Sequence, residues 1–348
     1  MTISCAIFEA ACNVLASFFS SLKVIMATVN PMDRMIAHPM ELVKLVCPEC
    51  FGYNQVMAGP ETSPPVDFDS PLKQCPHCQK DSLQDYDLDY RGVKIARCST
   101  CSCKQMNPPY SDDYLQKLYA GYIHEEEMDG SEPELDKAHK RLHLDHYESL
   151  LKFQKPGKVL CIGCGNGFEL EAGMEKGYEV EGFDVDQNTV ETLKSKYQCP
   201  LYHGDFLELE LTENNYDLVY MDQVLEHLKD PRPYLEKIHR ILKPGGLLFI
   251  GVPNIHSFSS RFKTMQGKLG LRRKKRGRHY DTWHHVFYYC PQTLRTVLQG
   301  YYPFDVLETG NDSFLLPSLP GWKKTLLRFA LSLPIHWRTT CYCVAKAR

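Results

Sequence analysis

The stretch "VLCIGCGNGFELE", Val159–Glu171, is an apolar run that ends in three glycines two residues apart and continues into a segment with helical character. Gly163, Gly165 and Gly167 allow a backbone to approach a ligand closely and to turn amide groups toward it from the start of a helix. The ligand is therefore expected at the carboxyl end of a strand. The Gly-x-Gly-x-Gly spacing differs from the dinucleotide Gly-x-Gly-x-x-Gly, because Phe168 stands in the place of its last glycine, and this disfavours a nicotinamide cofactor. One residue is out of pattern: Cys161, two positions before the first glycine, stands where such a loop more often has a carboxylate. A buried thiol behaving as a small hydrophobe accounts for it.

Outward from this stretch, short apolar runs (Val159–Ile162, Val180–Val185, Tyr216–Met221, Leu247–Val252) alternate with helical stretches at 167–176 and 187–197. A further helix opens at "DPRPYLEKIHRIL", where Asp230 is placed to cap and Pro231 suits the first turn. Leu235, Ile238, Ile241 and Leu242 give it a buried stripe, and it stops at the "KPGG" turn. The pattern predicts an α/β, doubly wound and mostly parallel sheet covered on both faces. Upstream, residues 111–154 read as polar, aromatic and helical, with Leu135, Ala138, Leu142, His146 and Leu150 near helical spacing.

Further signals fall in order along the chain. "EVEGFDVD" ends a second strand in Asp184, where a carboxylate can accept hydrogen bonds from ribose hydroxyls, each worth roughly 1.5 to 3 kcal/mol. "LYHGDFLEL" places Asp205 after a third strand, within the range of an adenine amino group. "YDLVYMDQVLEHLKDP" and "ILKPGGLLFIGVPN" follow. With these residues the chain resembles the class I S-adenosylmethionine-dependent methyltransferases, strongly over Lys158–Pro253 and more weakly to the C-terminus. There "HHVFYYCPQTLRTVLQGYYPFDVLETG" is similar to the family's helix and sixth strand, and "TTCYCVAKAR" to its antiparallel last strand. The resemblance implies a seven-stranded Rossmann-like sheet. It also implies that Gly163, Gly165 and Gly167 cradle the methionine part of the cofactor, with Asp184 at the ribose and Asp205 at the adenine. Cys161 departs from the family pattern near the methionine amino end.

Methyl transfer from a sulfonium is an in-line displacement, and alignment in a dry site can supply roughly 7 to 11 kcal/mol, against a 10² to 10⁴-fold contribution from a general base. The candidate bases are His227 in "QVLEH" and His284 and His285 in "DTWHHVFYY", since neutral histidine suits an oxygen acceptor. Packing beside Glu226 is an equally simple role for His227. Some relatives hold a divalent metal with Glu-x-x-Glu-His. Gln223 occupies the first of these positions here, which lowers the charge available to a hard cation, and no active-site metal is expected.

The chain has 348 residues and 15 cysteines, an odd number with several in Cys-x-x-Cys pairs. That usage points to a reducing, cytoplasmic setting and to metal binding rather than to a disulfide framework. "CPHC" (Cys75, Cys78) and "CSTC" (Cys98, Cys101) are separated by 19 residues, a spacing suited to a tetrahedral, structural zinc site on two knuckles. The stretch through "NPPYSDDYLQKLY" also resembles a zinc-ribbon-like segment found ahead of such methyltransferases. Cys47 and Cys50 in "CPEC" are the competing pair; with Cys75 and Cys78 they would leave Cys98, Cys101 and Cys103 for another role.

The expected organisation is an N-terminal extension at 1–40, a zinc-ribbon-like module at 41–110, a helical connector at 111–157 and the methyltransferase domain at 158–348, with a basic insert at 256–285. Met26, Met32 and Met35 are alternative starts. No apolar run is long enough for a membrane span. A formal charge of −3 argues against a chain that mainly coats nucleic acid. "LRRKKRGRH" at 271–279 is either a solvated loop or a clamp for an anionic acceptor or RNA. Three functions follow: methylation of a small molecule at oxygen, RNA or protein methylation with the ribbon and basic loop as docking surfaces, or a non-catalytic scaffold that binds cofactor.

Overall fold

A computed structural model describes residues 66–119, 133–257, 260–261, 264–265, 277–312 and 340–348. The chain divides into two compact units, Met1–Ala58 and Gly59–Arg348. The first lies outside the described residues, and so do Cys47, Cys50 and the basic run 271–276.

The second unit contains a three-stranded antiparallel meander, β1 (Leu83–Leu88), β2 (Lys94–Cys98) and β3 (Lys104–Met106), followed by helices α1 (Asp112–Tyr119) and α2 (Pro133–Leu150). Then come β4 (Lys158–Ile162), α3 (Phe168–Glu175), β5 (Glu179–Asp184), α4 (Gln187–Lys196), β6 (Leu201–His203), β7 (Tyr216–Asp222), α5 (Pro231–Ile241) and β8 (Leu242–Pro253). The chain ends with β9 (Phe287–Tyr288), α6 (Pro291–Tyr301), β10 (Phe304–Asp312) and β11 (Thr340–Ala347).

The expected seven-stranded sheet is present, in the order β10-β11-β8-β7-β4-β5-β6. Strands β4 to β8 pair in parallel, and β11 runs antiparallel to both β8 and β10. Alternation along each strand sorts the core into two layers. Leu160, Ile162, Val219, Met221, Leu248 and Ile250 pack with Leu235 and Ile238 of α5 and Leu294 and Val297 of α6. Val159, Cys161, Leu218, Tyr220, Leu247 and Phe249 pack on the other face with Tyr147 of α2, Leu170 of α3 and Val190 and Leu193 of α4.

Helix α5 starts as its sequence dictates: Asp230 caps it by accepting from the Arg232 amide (3.1 Å), and Pro231 occupies the first turn. The "KPGG" segment differs from expectation. Strand β8 begins at Leu242 and runs through it, with a register irregularity opposite Tyr216–Leu218 and Gly245 at φ 80°. The bulge lets Lys243 reach Asp217 (2.7 Å) while the ladder resumes at Leu247.

The cysteine-bearing meander is not a detached bead. Its β3 pairs with β9, which lies beyond β8 in sequence, to give a second sheet in the order β1-β2-β3-β9. His77, fully buried, holds the junction with both ring nitrogens: Nδ1 lies 2.9 Å from the Tyr302 hydroxyl and Nε2 2.8 Å from that of Tyr289.

Candidate active site

Strand β4 ends in a loop whose three glycines all have positive φ, 77° at Gly163, 32° at Gly165 and 80° at Gly167. Only glycine adopts these conformations without strain. The positions differ in what surrounds them. A Cβ at Gly167 would press on Leu193 (2.7 Å) and Tyr197 (2.8 Å), so this glycine lets α3 pack on α4. A Cβ at Gly165 would meet nothing within 4 Å, so its open side faces free space. That space belongs to a cavity of about 330 Å³ lined by Gly163, Gly165 and Glu169, by His139, His143 and His146 of α2, and by the ends of β7, β8 and β11.

Asp184, at the end of β5, is buried, and both its carboxylate oxygens take backbone amides: Gly165 donates to Oδ2 and Asp186 to Oδ1, each at 3.0 Å. Burial raises its pKa and these amides oppose the rise. It thus fixes the loop from behind while keeping acceptor capacity for a further donor. Asp205 follows β6, is exposed, and accepts from the Leu207 amide at 2.8 Å. Neither aspartate lines the cavity that Gly163 and Gly165 share.

Cys161 is fully buried on the α2 side of β4, 3.4 Å from the Tyr147 hydroxyl. Burial, and then the charge of Glu169, push its thiol well above the usual range. It is a packing residue with no access to the cavity.

The structure brings His227, His284 and His285 together. Their ring centroids lie 5.2 Å (227 to 284), 4.9 Å (227 to 285) and 4.3 Å (284 to 285) apart, and His227 Nδ1 sits 3.2 Å from the His284 carbonyl. Glu226 stands beneath them, with Oε1 3.8 Å from His227 Nε2 and 4.0 Å from His285 Nε2. Both of its buried oxygens lack a hydrogen-bond partner among the described residues, and burial raises its pKa well above the carboxylate range. Burial lowers His227 to about 3 and His284 to about 4, and takes His285 well below its usual value. All three are neutral near pH 7. Glu226 and His227 lie beyond Gln223 on the loop after β7, His284 and His285 come from the segment before β9, and none of the three histidines lines the cavity.

The histidines of α2 were not singled out as a set by sequence. His143 and His146 each place Nδ1 on the Tyr220 hydroxyl (2.8 and 2.7 Å), and Asp222 Oδ2 is 4.0 Å from His143 Nδ1. Their signal was the i, i+4, i+7 spacing of His139, His143 and His146, which puts all three on one helix face.

Cys75, Cys78, Cys98 and Cys101 converge with their sulfurs within 4.8 Å of one another. Cys75 and Cys101 are 3.7 Å apart and Cys78 and Cys98 3.5 Å, close to the ~3.8 Å edge of a tetrahedron with 2.3 Å zinc–sulfur bonds. All four are buried free thiols. Cys103, also buried, stands outside the set.

Residues 160–250 match the family model described as "Methyltransferase domain". A "Probable S-adenosylmethionine-dependent methyltransferase" of Mycolicibacterium smegmatis is 34% identical over 102 residues, 29% of this chain and 40% of that protein. The "Ubiquinone biosynthesis O-methyltransferase" of Pseudomonas aeruginosa is 28% identical over 128 residues, 35% of this chain and 55% of that protein. Among solved structures, a 1,6-didemethyltoxoflavin-N1-methyltransferase of Burkholderia thailandensis with bound S-adenosylhomocysteine superposes with a TM-score of 0.46 at 15% identity, covering 76% of this chain and 99% of that one. The chain thus spans about half the length of the curated relatives it matches. Residues 160–250 thus match a methyltransferase domain, and the strand order and the glycine loop are those expected of the class I S-adenosylmethionine-dependent methyltransferases that this segment resembles.

Proposed function

We propose that this protein is an enzyme that methylates a small-molecule acceptor at oxygen, using S-adenosylmethionine. The observation that carries the reading is the open side of Gly165, which faces a 330 Å³ cavity at the carboxyl end of β4. The residues fit the cofactor: Gly163 and Gly165 admit it to the backbone, Asp184 retains lone pairs for ribose hydroxyls, and Asp205 is exposed with a carboxylate oriented by its own turn. Bound there, the cofactor supplies an electrophilic methyl group on a sulfonium.

The chain's own contribution is placement and proton handling. The imidazoles of His227, His284 and His285 stay neutral in a buried cluster outside the cavity lining, so an acceptor would have to extend past Gln223 for a ring nitrogen to take the proton that its hydroxyl releases. Glu226, 3.8 Å from His227 and 4.0 Å from His285, is itself held protonated by burial and so leaves the rings neutral. The likeness to an O-methyltransferase supports an oxygen acceptor.

Cys75, Cys78, Cys98 and Cys101 would hold one zinc ion, and four thiolates leave no position for substrate, so its role is structural. With free thiols throughout the described residues, the proposed setting is the cytoplasm.

Calorimetric titration with S-adenosylhomocysteine tests the reading. One-site binding is expected, weakened at least ~10-fold by Asp184→Ala through loss of charge-assisted hydrogen bonds. No binding, or unchanged affinity in the variant, would overturn it.

A further inference from the structure

The opening stretch substitutes a cysteine where a carboxylate is usual, yet it contains another acidic residue eight positions on. Glu169 lies in the first turn of α3 and lines the same cavity as Gly163 and Gly165. Its side chain is confined, at 9% exposure, in a place where a charged carboxylate has little water to solvate it. Among the described residues, no side chain donates a hydrogen bond to that carboxylate.

Among the described residues, no lysine or arginine is paired with it. The lining of the cavity contains neither lysine nor arginine. Lys140 of α2 is engaged elsewhere, by Glu171 (2.7 Å) and Glu175 (3.2 Å). His143 is held neutral by burial and by its histidine neighbours. Asp222 and Asp184 instead add negative charge near Glu169, which, after burial, raises its pKa further. A buried carboxylate among like charges at the mouth of a ligand cavity is complementary to a ligand that brings a positive group.

We infer that Glu169 receives the α-ammonium group of S-adenosylmethionine in place of a carboxylate at position 161, an inference that rests on the methyltransferase reading of the same loop. Both positions belong to the same strand–loop–helix segment, Cys161 in β4 and Glu169 in the first turn of α3, and after burial the Glu169 charge helps to raise the thiols of Cys161 and Cys164. The sequence has moved the acidic group from the end of β4 to the start of α3. There, the aligned amides of the helix favour its ionised form once the ammonium is bound. Cys161 is thereby released to pack against Tyr147.

The test compares two ligands that share the adenosine and the thioether. S-adenosylhomocysteine carries the amino acid end and 5′-methylthioadenosine lacks it. Glu169→Gln, which keeps the shape, is expected to bind S-adenosylhomocysteine at least ~10-fold more weakly and 5′-methylthioadenosine within ~2-fold of the parent. Adding Cys161→Asp to Glu169→Gln should recover at least part of the lost affinity. Parent-like binding of S-adenosylhomocysteine by Glu169→Gln, or an equal loss for both ligands, would overturn the assignment while leaving the loop's role intact. If Glu169→Gln does not fold, the unaltered protein still decides: it should bind S-adenosylhomocysteine at least ~10-fold more tightly than its deaminated analogue, and equal affinities would overturn the assignment. An unaltered protein that binds none of these nucleosides would overturn both the assignment and the methyltransferase reading.

Discussion

The cysteine cluster and the glycine-loop cavity are both made from strand ends and tight turns, but they dispose of their polar atoms in opposite ways. In the cluster, four sulfurs face one another at tetrahedral spacing, and His77 beside them satisfies both ring nitrogens with tyrosine hydroxyls. At the cavity, Gly165 opens onto space and Glu169 faces it unpaired with any lysine or arginine among the described residues, while Asp184 behind the loop keeps spare lone pairs. On the proposed reading, the difference separates a set that a structural metal ion completes from one that a passing ligand completes. A closed polar set gains stability from its own completeness, whereas an open one costs stability until something binds.

The sharpest way to break this comparison is to open the closed site. Cys98→Ser should abolish binding of the proposed zinc ion and cost more than ~4 kcal/mol, or prevent folding, because the thiols sit in one continuous core with Tyr289 and Tyr302. Metal analysis together with a thermal melt reads this. A variant that lost zinc and melted as the parent does would remove the cluster's structural role.

A smaller loss comes from the junction. His77→Phe keeps the ring volume and strands the hydroxyls of Tyr289 and Tyr302, so a shift of about 2 to 4 kcal/mol in urea unfolding is expected, with zinc content unchanged. An unchanged midpoint would mean that the meander and the main sheet are not coupled through this residue.

The smallest effect belongs to the histidines near the open site. His227 and His284 are lowered from 6.5 to about 3 and about 4, so the unfolded chain binds their protons first as pH falls. Stability should therefore decline from pH 6.5 downward, by up to ~2 kcal/mol per histidine at pH 5 relative to pH 7. Urea midpoints at the two pH values measure it, and His284→Asn should flatten the slope. A slope equal in parent and variant would show that His284 is not held neutral.

The methyltransferase sheet was legible because periodicity and glycine spacing are local. The runs at 159–162 and 216–221 and the cap at Asp230 each carry their instruction within a few residues. The bulge in β8 was not legible, since "KPGG" reads as a turn and only the pairing of Leu242 with Tyr216 extends the strand through it. Nor was the pairing of β3 with β9, a contact between segments about 180 residues apart that is fixed by long-range packing. At the site, the meeting of His227 with His284 and His285 followed from their places along the fold. The role proposed for Glu169 did not, because one turn of helix carries no sign of which face will border a cavity. It became visible only with α2 in place over the loop.

A crystal structure with S-adenosylhomocysteine tests the central claim most directly. The nucleoside is expected against the Gly163–Gly167 backbone, with its ribose hydroxyls on Asp184 and its amino group at Glu169. A ligand bound elsewhere, or a loop that closes over Gly165 and leaves the cavity empty, would contradict it.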